Sequence, residues 1–354
     1  MPKHKIGLVG YLGYSVDNPI IGGQMSKTRG IYDQLKKQFG DNSVLAVDTS
    51  NWKKEKLKLV ISCFKIAFSC RTVIIMPNKN GIKFILPFFS MFKGIMNYKL
   101  AYPVVGGWLT ELLKKHGYLA KSIKNVDFIL PETKALKNEL KEFNRRRIEV
   151  MPIFSTRTPI KVSDLADINT EPFTFCTFSR VTPEKGIDEA AKAVEAVNKK
   201  AGRCVCRLDV WGPVDKDHEA HYKKFFSKYS EFVTYKGVLD GNDSLKTLSG
   251  YYMLLFPTFY PGEGFPTTVC ESFMSGLPVI ASDWRFNGEL VNNGETGYLV
   301  PVHNVEALRD AITKAVSDSK SVAEMRIKCL KKSEDYQPER VMKSLSGWIR
   351  KYNV

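Results

Sequence analysis

Residues 251–283 read YYMLLFPTFYPGEGFPTTVCESFMSGLPVIASD. An apolar run ends at Thr258, and a loop containing Pro261, Gly262, Gly264 and Pro266 follows. A helix-like run begins near Thr267, and a second apolar run ends at Asp283. Two short apolar runs joined through a helix make a βαβ unit, which sets both strands parallel in one sheet.

Outward from this stretch the alternation continues. FTFCTF (173–178), CVCRLDVWG (204–212) and EFVTYKGV (231–238) read as strands. IDEAAKAVEAVNKKAG (187–202) reads as a helix stopped by glycine, and VEALRDAITKAVS (305–317) as an amphipathic helix. Toward the N-terminus, IGLVGYL (6–12), SVLAVD (43–48), RTVIIMP (71–77), KLAYPVV (99–105), DFILPET (127–133) and IEVMPIF (148–154) read as strands. Helical stretches, including 25–39 and 55–69, separate them. The polar segment STRTPIKVSDLADINTEP (155–172) interrupts the pattern and reads as an interdomain linker. The expected architecture is α/β: two doubly wound, Rossmann-like parallel-sheet domains over 1–165 and 166–335, and a basic helix over 336–354.

With 354 residues the chain has enough length for two hydrophobic cores. The seven cysteines are an odd number without a C-x-x-C pair, so buried thiols are expected rather than disulfides or metal ligands. The basic, apolar N-terminus contains two glycines and is read as a first strand entering a glycine loop, not as a signal peptide. The most apolar segment, 81–100, is cut by Lys83, Pro87 and Lys93, so no transmembrane helix is expected.

Charge is uneven. Residues 1–170 carry 28 Lys and Arg against 13 Asp and Glu, whereas residues 171–354 carry 25 against 24. The basic half predicts an anionic partner. In 53–70 and 81–100 lysine alternates with Leu, Ile and Phe, which suits an anionic membrane surface better than nucleic acid.

In doubly wound folds ligands bind at the carboxyl ends of the strands. Glu263 lies in such a loop, and Glu271 lies about one turn into the following helix. Between them, the amides of Thr267, Thr268 and Val269 open a helix, where unpaired N–H groups and the dipole favour an anion. Gly262 and Gly264 permit close backbone approach. Carboxylates on both sides of an anion-binding turn suit a nucleotide sugar, with hydroxyls at each end and a diphosphate between. Arg180 and Lys185, in the loop SRVTPEKGID (179–188), would face the same crevice if their strand neighbours that of Glu263, and would neutralise a diphosphate. Gly22 and Gly23, before the helix QMSKTRGIYDQL, permit approach of a phosphate or an acceptor. They do not match G-x-G-x-x-G, so a nicotinamide cofactor has no support.

Together GG at 22–23, SRVTPEKGID at 179–188 and EGFPTTVCE at 263–271 resemble the retaining glycosyltransferases of family 4, which have the GT-B fold. SGLPVIASD (275–283) and NGETGYLVP (293–301) share the likeness. The resemblance implies two Rossmann-like domains facing a central cleft. It implies sugar transfer from a nucleotide diphosphate sugar, a UDP-sugar first, to a saccharide or lipid-linked saccharide, with retention, in cell-surface polysaccharide synthesis. Catalysis would fall to Arg180, Lys185 and Glu263. Glu263 would hold donor-sugar hydroxyls and Glu271 the ribose. Arg180 and Lys185 would grip the diphosphate, and the amides of Gly264, Phe265 and Thr267 to Val269 would complete the site. The base would lie between Tyr235 and Val238. No cofactor and no metal are expected, and the protein would work at the cytoplasmic face of the membrane. Where many members carry a donor-sugar histidine, this chain has Gly106 and Gly107 in YPVVGGWLTELL, as a subset of capsule and cell-surface enzymes does. A nucleotide-sugar epimerase and a non-catalytic sugar-nucleotide scaffold are the alternatives.

Overall fold

The computed structural model describes residues 5–17, 22–168, 170–239 and 243–353. The chain divides into two compact units: Met1–Thr156 with Tyr336–Val354, and Arg157–Asp335.

The first unit is built on a six-stranded parallel sheet. Its strands are β1 (Lys5–Gly10), β2 (Val44–Asp48), β3 (Cys70–Met76), β4 (Lys99–Pro103), β5 (Phe128–Leu130) and β6 (Arg147–Ile148). They run in the order β2-β1-β3-β4-β5-β6. The continuous apolar runs foreseen for a sheet covered on both faces are present: Val73 to Met76 in β3 are fully buried. Helix Gly23–Phe39 contributes Ile31 and Leu35 to the core. The final helix, Lys343–Asn353, packs Leu345, Trp348 and Ile349 into that same core, with the Trp348 ring 5.6 Å from that of Phe128. Helix Ile82–Met96 covers much of the apolar segment, and no helix among the described residues is long and apolar enough to cross a membrane.

The second unit carries β7 (Phe173–Phe178), β8 (Cys206–Trp211), β9 (Val233–Gly237), β10 (Leu254–Phe256), β11 (Val279–Ser282) and β12 (Gly297–Val300). These pair in parallel in the order β12-β11-β10-β7-β8-β9. Read from the other edge this is the Rossmann order, three strands outward and three back. Helix Ile187–Ala201 buries Ile187, Ala190, Ala191, Val194 and Val197, the stripe its 3.6-residue period dictates. β7 and β10 are direct neighbours, with Cys176 opposite Leu254. Strand order reverses between them, so the loops that follow these two strands flank the crevice where such sheets bind ligands.

Two sequence expectations are corrected. The strand foreseen over 148–154 is limited to Arg147–Ile148; beyond it Met151 N–H still bonds to Pro131 O, but Pro152 has no N–H to continue a ladder. The linker over 155–172, with a boundary at 165, gives way to a division at Thr156/Arg157. Residues after 157 are tied to the second unit: Ile160 N–H bonds to Met274 O, and Arg326 donates to Ala166 O at 2.8 Å. Polar composition masked these long-range contacts.

Candidate functional site

The loop after β7 is fastened on both sides. Ser179 N–H bonds to Trp211 O and Val181 N–H to Pro213 O on the β8 side. On the β10 side, Phe259 N–H bonds to Glu184 O at 2.8 Å. Two glycines make the approach possible. Gly212 has φ +130°, and a Cβ there would lie 1.7 Å from Ser179 O. Gly186 has φ +72°, and a Cβ there would lie 2.2 Å from Pro257 O. No other residue type fits either place.

These fastenings bring Lys185 and Glu263 together. Lys185 Nζ lies 2.7 Å from Glu263 Oε2, and the side chains are only 11% and 10% exposed. Thr258 Oγ1 lies 2.9 Å from the same carboxylate oxygen, and Tyr260 N–H donates to Thr258 Oγ1. The indole N–H of Trp284 donates to Tyr260 O at 2.8 Å, bracing the loop from the end of β11. Lys185 also sits over the Tyr260 ring, 5.0 Å from its centroid. Arg180 is exposed, with its guanidinium carbon 5.8 Å from the same centroid. Two cations and one carboxylate thus gather around Tyr260. A secluded ion pair is held at a desolvation cost, and an ammonium carries three protons, so Lys185 can meet an incoming anion while Glu263 orients it.

Helix Thr267–Met274 starts after Pro266 and is seated by buried Val269, Cys270, Phe273 and Met274. Thr268 Oγ1 donates to Phe178 O at 2.9 Å, locking the helix start to the end of β7. Thr267 and Thr268 are first-turn residues without an i−4 helical carbonyl. The Val269 amide is corrected: it donates to Pro266 O at 3.1 Å and is already engaged. Gly264 is half-buried and Phe265 buried in the same loop. Glu271 is the fifth helical residue. Its Oε1 accepts from Arg157 Nη1 at 2.9 Å, and Arg157 also donates to Ser244 Oγ. Burial raises the Glu271 carboxyl above its ordinary value, and Arg157 opposes that rise. Arg157 was not foreseen as a site residue. It stands 114 positions from Glu271 in a segment that reads as linker.

At the far edge of the expected site, Tyr235 Oη donates to Gly212 O at 2.9 Å, and its ring stacks on Phe226 at 5.0 Å. Tyr235 and Val238 both present exposed apolar surface, at 39% and 68%.

Gly22, Gly23, Gly106 and Gly107 belong to the first unit. Gly22 precedes the helix in an extended conformation open to any residue, and a Cβ there would meet nothing within 4 Å. Its distinction is space, not backbone strain. Gly106 does adopt a left-handed φ of +83°, and its N–H donates to Glu132 Oε2 at 3.0 Å. The other oxygen of Glu132 faces Lys27 Nζ at 3.2 Å. Lys27 also donates to Val104 O and Met151 O, so three acceptors serve a side chain with no exposure. Burial lowers the Lys27 ammonium below its ordinary value, against the pull of Glu132. Asp48, at the end of β2, accepts the N–H groups of Leu12, Gly13, Tyr14 and Ser15, fixing the start of the loop after β1. Neither Lys27, Glu132 nor Asp48 was foreseen.

All seven cysteines are free. Among the described residues no group of three or more His, Cys, Asp or Glu could hold a metal ion.

The model of the family "Glycosyl transferases group 1" matches residues 163–332. A UDP-N-acetylglucosamine–peptide N-acetylglucosaminyltransferase GtfA subunit of Streptococcus gordonii is 28% identical over 193 residues, covering 53% of this chain and 36% of that protein. A poly(ribitol-phosphate) alpha-N-acetylglucosaminyltransferase of Staphylococcus aureus is 24% identical over 239 residues, covering 65% of this chain and 46% of that protein. The chain therefore matches less than half the length of either relative. Among solved structures, Anabaena HepE in complex with UDP superposes with a TM-score of 0.74 at 15% identity, covering 98% of this chain and 100% of that one. The fold is GT-B, with two parallel-sheet units.

Proposed function

We propose, from the match of residues 163–332 to the model of the glycosyl transferases group 1 family, that the protein moves a hexose-type sugar from a nucleotide diphosphate sugar to a saccharide or lipid-linked saccharide, in cell-surface glycan synthesis. The observation that carries this reading is the Lys185–Glu263 pair, with Arg180 beside it, at the strand-order reversal of the second unit. The relatives named for transfer to polyol-phosphate or peptide acceptors support the reaction class. The UDP in the HepE complex supports a UDP-sugar donor.

In this reading Lys185 and Arg180 neutralise the diphosphate, and Glu263 holds hydroxyls of the sugar. Glu271 accepts from the ribose, and the first-turn amides of Thr267 and Thr268 face phosphate. Gly264 and Phe265 complete that wall, and Tyr235 to Val238 receive the base. Gly22 and Gly23 are assigned to the donor, and Gly106 and Gly107 to the acceptor or sugar pocket. Transfer proceeds with retention. The bond from the anomeric carbon to the phosphate oxygen breaks, the acceptor oxygen bonds to the same face, and the departing phosphate takes the acceptor proton. Catalysis is then positioning and charge stabilisation. The two cations take the part a metal would play, so metal independence belongs to the proposal. So does work at the cytoplasmic membrane face, through contact of the basic first unit with anionic lipid.

The test is incubation with a panel of UDP-sugars and glycan or lipid-linked acceptors in EDTA, with the anomeric configuration of the product read by proton NMR. Retained configuration and loss of turnover in Lys185→Ala support the reading. Inverted product, or turnover only with added divalent metal, contradicts it.

A further inference from the structure

Thirteen large apolar residues are exposed among the described residues, and seven of them fall between Trp52 and Ile95. They are not scattered. Helix Lys56–Ser69 presents Leu57, Ile61 and Phe68 at 74%, 60% and 61% exposure. Helix Ile82–Met96 presents Phe84, Met91 and Ile95 at 43%, 64% and 78%. In each helix the spacing is that of one face: 57, 61 and 68, then 84, 91 and 95. The helices lie side by side, because Phe64 of the first packs edge-on against Phe88 and Phe92 of the second, at 4.9 and 5.0 Å. The two stripes therefore adjoin. Isolated exposed apolar residues need no explanation, but a contiguous patch marks an interaction surface.

Between the same helices opens a mostly apolar cavity of about 330 Å³, lined by Trp52, Lys56, Leu59, Val60, Phe84 and Ile85, with Thr49, Asn78 and Asn80 also in its wall. Residues 53–99 carry ten Lys and Arg against one acidic residue, Glu55. Glu55 is itself paired with Lys58. Such a surface repels a second copy of itself. It complements a surface that is apolar below and anionic above, which describes a bilayer containing acidic phospholipid.

We propose that these two helices are the membrane-docking face of the protein, and that the cavity between them takes one acyl chain of an anionic phospholipid whose phosphate meets Lys56. The inference rests on the membrane contact proposed above and specifies its site and ligand. Leu57, Ile61, Met91 and Ile95 enter the headgroup boundary, Trp52 sits at the interface, and the surrounding lysines lie against lipid phosphate.

The experiment is co-sedimentation of the full chain with vesicles of phosphatidylcholine alone, or with phosphatidylglycerol added, alongside a variant carrying Ile61→Asp and Ile95→Asp. Each lysine near an anionic surface contributes about 1 kcal/mol, so two or more give roughly tenfold or greater preference for the anionic vesicles, lost in high salt. The double variant loses that binding while its melting temperature stays that of the parent. Phosphatidylglycerol with brominated acyl chains quenches tryptophan emission, and Trp52→Phe abolishes the quenching. Equal binding to neutral and anionic vesicles overturns the proposal. So does binding that survives the double variant, quenching that persists without Trp52, or self-association in place of vesicle binding. None of these readouts depends on sugar transfer, so a failure here is distinct from a failure of the catalytic reading.

Discussion

Lys185 Nζ lies 2.7 Å from Glu263 Oε2 across 78 positions of sequence, in a site where each side chain is about nine-tenths buried. The pair joins the loop after β7 to the loop after β10, and β7 and β10 are the strands between which the sheet order reverses. Under the proposed function, the carboxylate keeps that cation in place for an incoming phosphate.

Removing the lysine tests that role. Lys185→Ala is expected to lower kcat by about 10²–10³, on the order of 2.7–4 kcal/mol in the barrier, by analogy with a lost oxyanion donor. Arg180→Ala, at an exposed side chain, is expected to cost less. Steady-state kinetics with a UDP-sugar decides; parent rates in both variants remove these residues from the catalytic role.

Glu271 links the site to pH. Burial raises its carboxyl in the folded protein from an ordinary value of 4.5. The folded state therefore binds more protons in that window, and stability from this group declines as pH rises from 4.5 through the raised value. The melting-temperature difference between parent and Glu271→Gln should fall across that window, and a flat difference contradicts it. Because Arg157 opposes the rise, Arg157→Ala should move the acid limb of UDP affinity to higher pH. Calorimetric titration at several pH values reads that shift.

Gly186 sets the geometry of Lys185. Alanine at a left-handed φ of +72° costs about 1–2 kcal/mol, and its Cβ would also press on Pro257 O. Gly186→Ala is expected to lower the melting temperature by about 3 °C or more, and to reduce turnover more than Gly22→Ala, whose Cβ meets nothing. Differential scanning fluorimetry and initial rates check both.

The Lys27–Glu132 pair supports the Gly106 turn in the first unit. Lys27→Met takes the cation from a buried carboxylate and is expected to destabilise by about 3–5 kcal/mol. Lys27→Met with Glu132→Gln is expected to recover part of that loss. Urea denaturation of the parent, Lys27→Met, Glu132→Gln and the double variant measures the coupling; strictly additive losses would mean the two residues act independently.

Much of this architecture was legible because strands and helices announce themselves locally. The apolar runs ending near Phe178 and Thr258 place Arg180, Lys185 and Glu263 at strand ends from local pattern alone. Their meeting was conditional on strand order, which no local pattern encodes. Arg157 was illegible for the same reason: its partners Ser244 and Glu271 lie 87 and 114 positions away. Lys27 looks like a solvated lysine on an amphipathic helix, yet it is buried because Val104, Met151 and Glu132 supply its acceptors from distant strand ends. The engagement of the Val269 amide with Pro266 O is not legible in the sequence, because local composition does not say how the first turn after a proline closes.

The most direct measurement is calorimetric titration of UDP, with GDP and CDP as comparisons, into parent and Lys185→Ala protein in EDTA. The account predicts that one nucleoside diphosphate binds the parent without metal, and that the variant binds it about tenfold or more weakly, the effect of losing one charge-assisted contact of about 1.5–3 kcal/mol. Equal affinity in the two proteins, or no binding of any nucleoside diphosphate to the parent, would contradict the claim that Lys185 and Glu263 frame a nucleotide-sugar site.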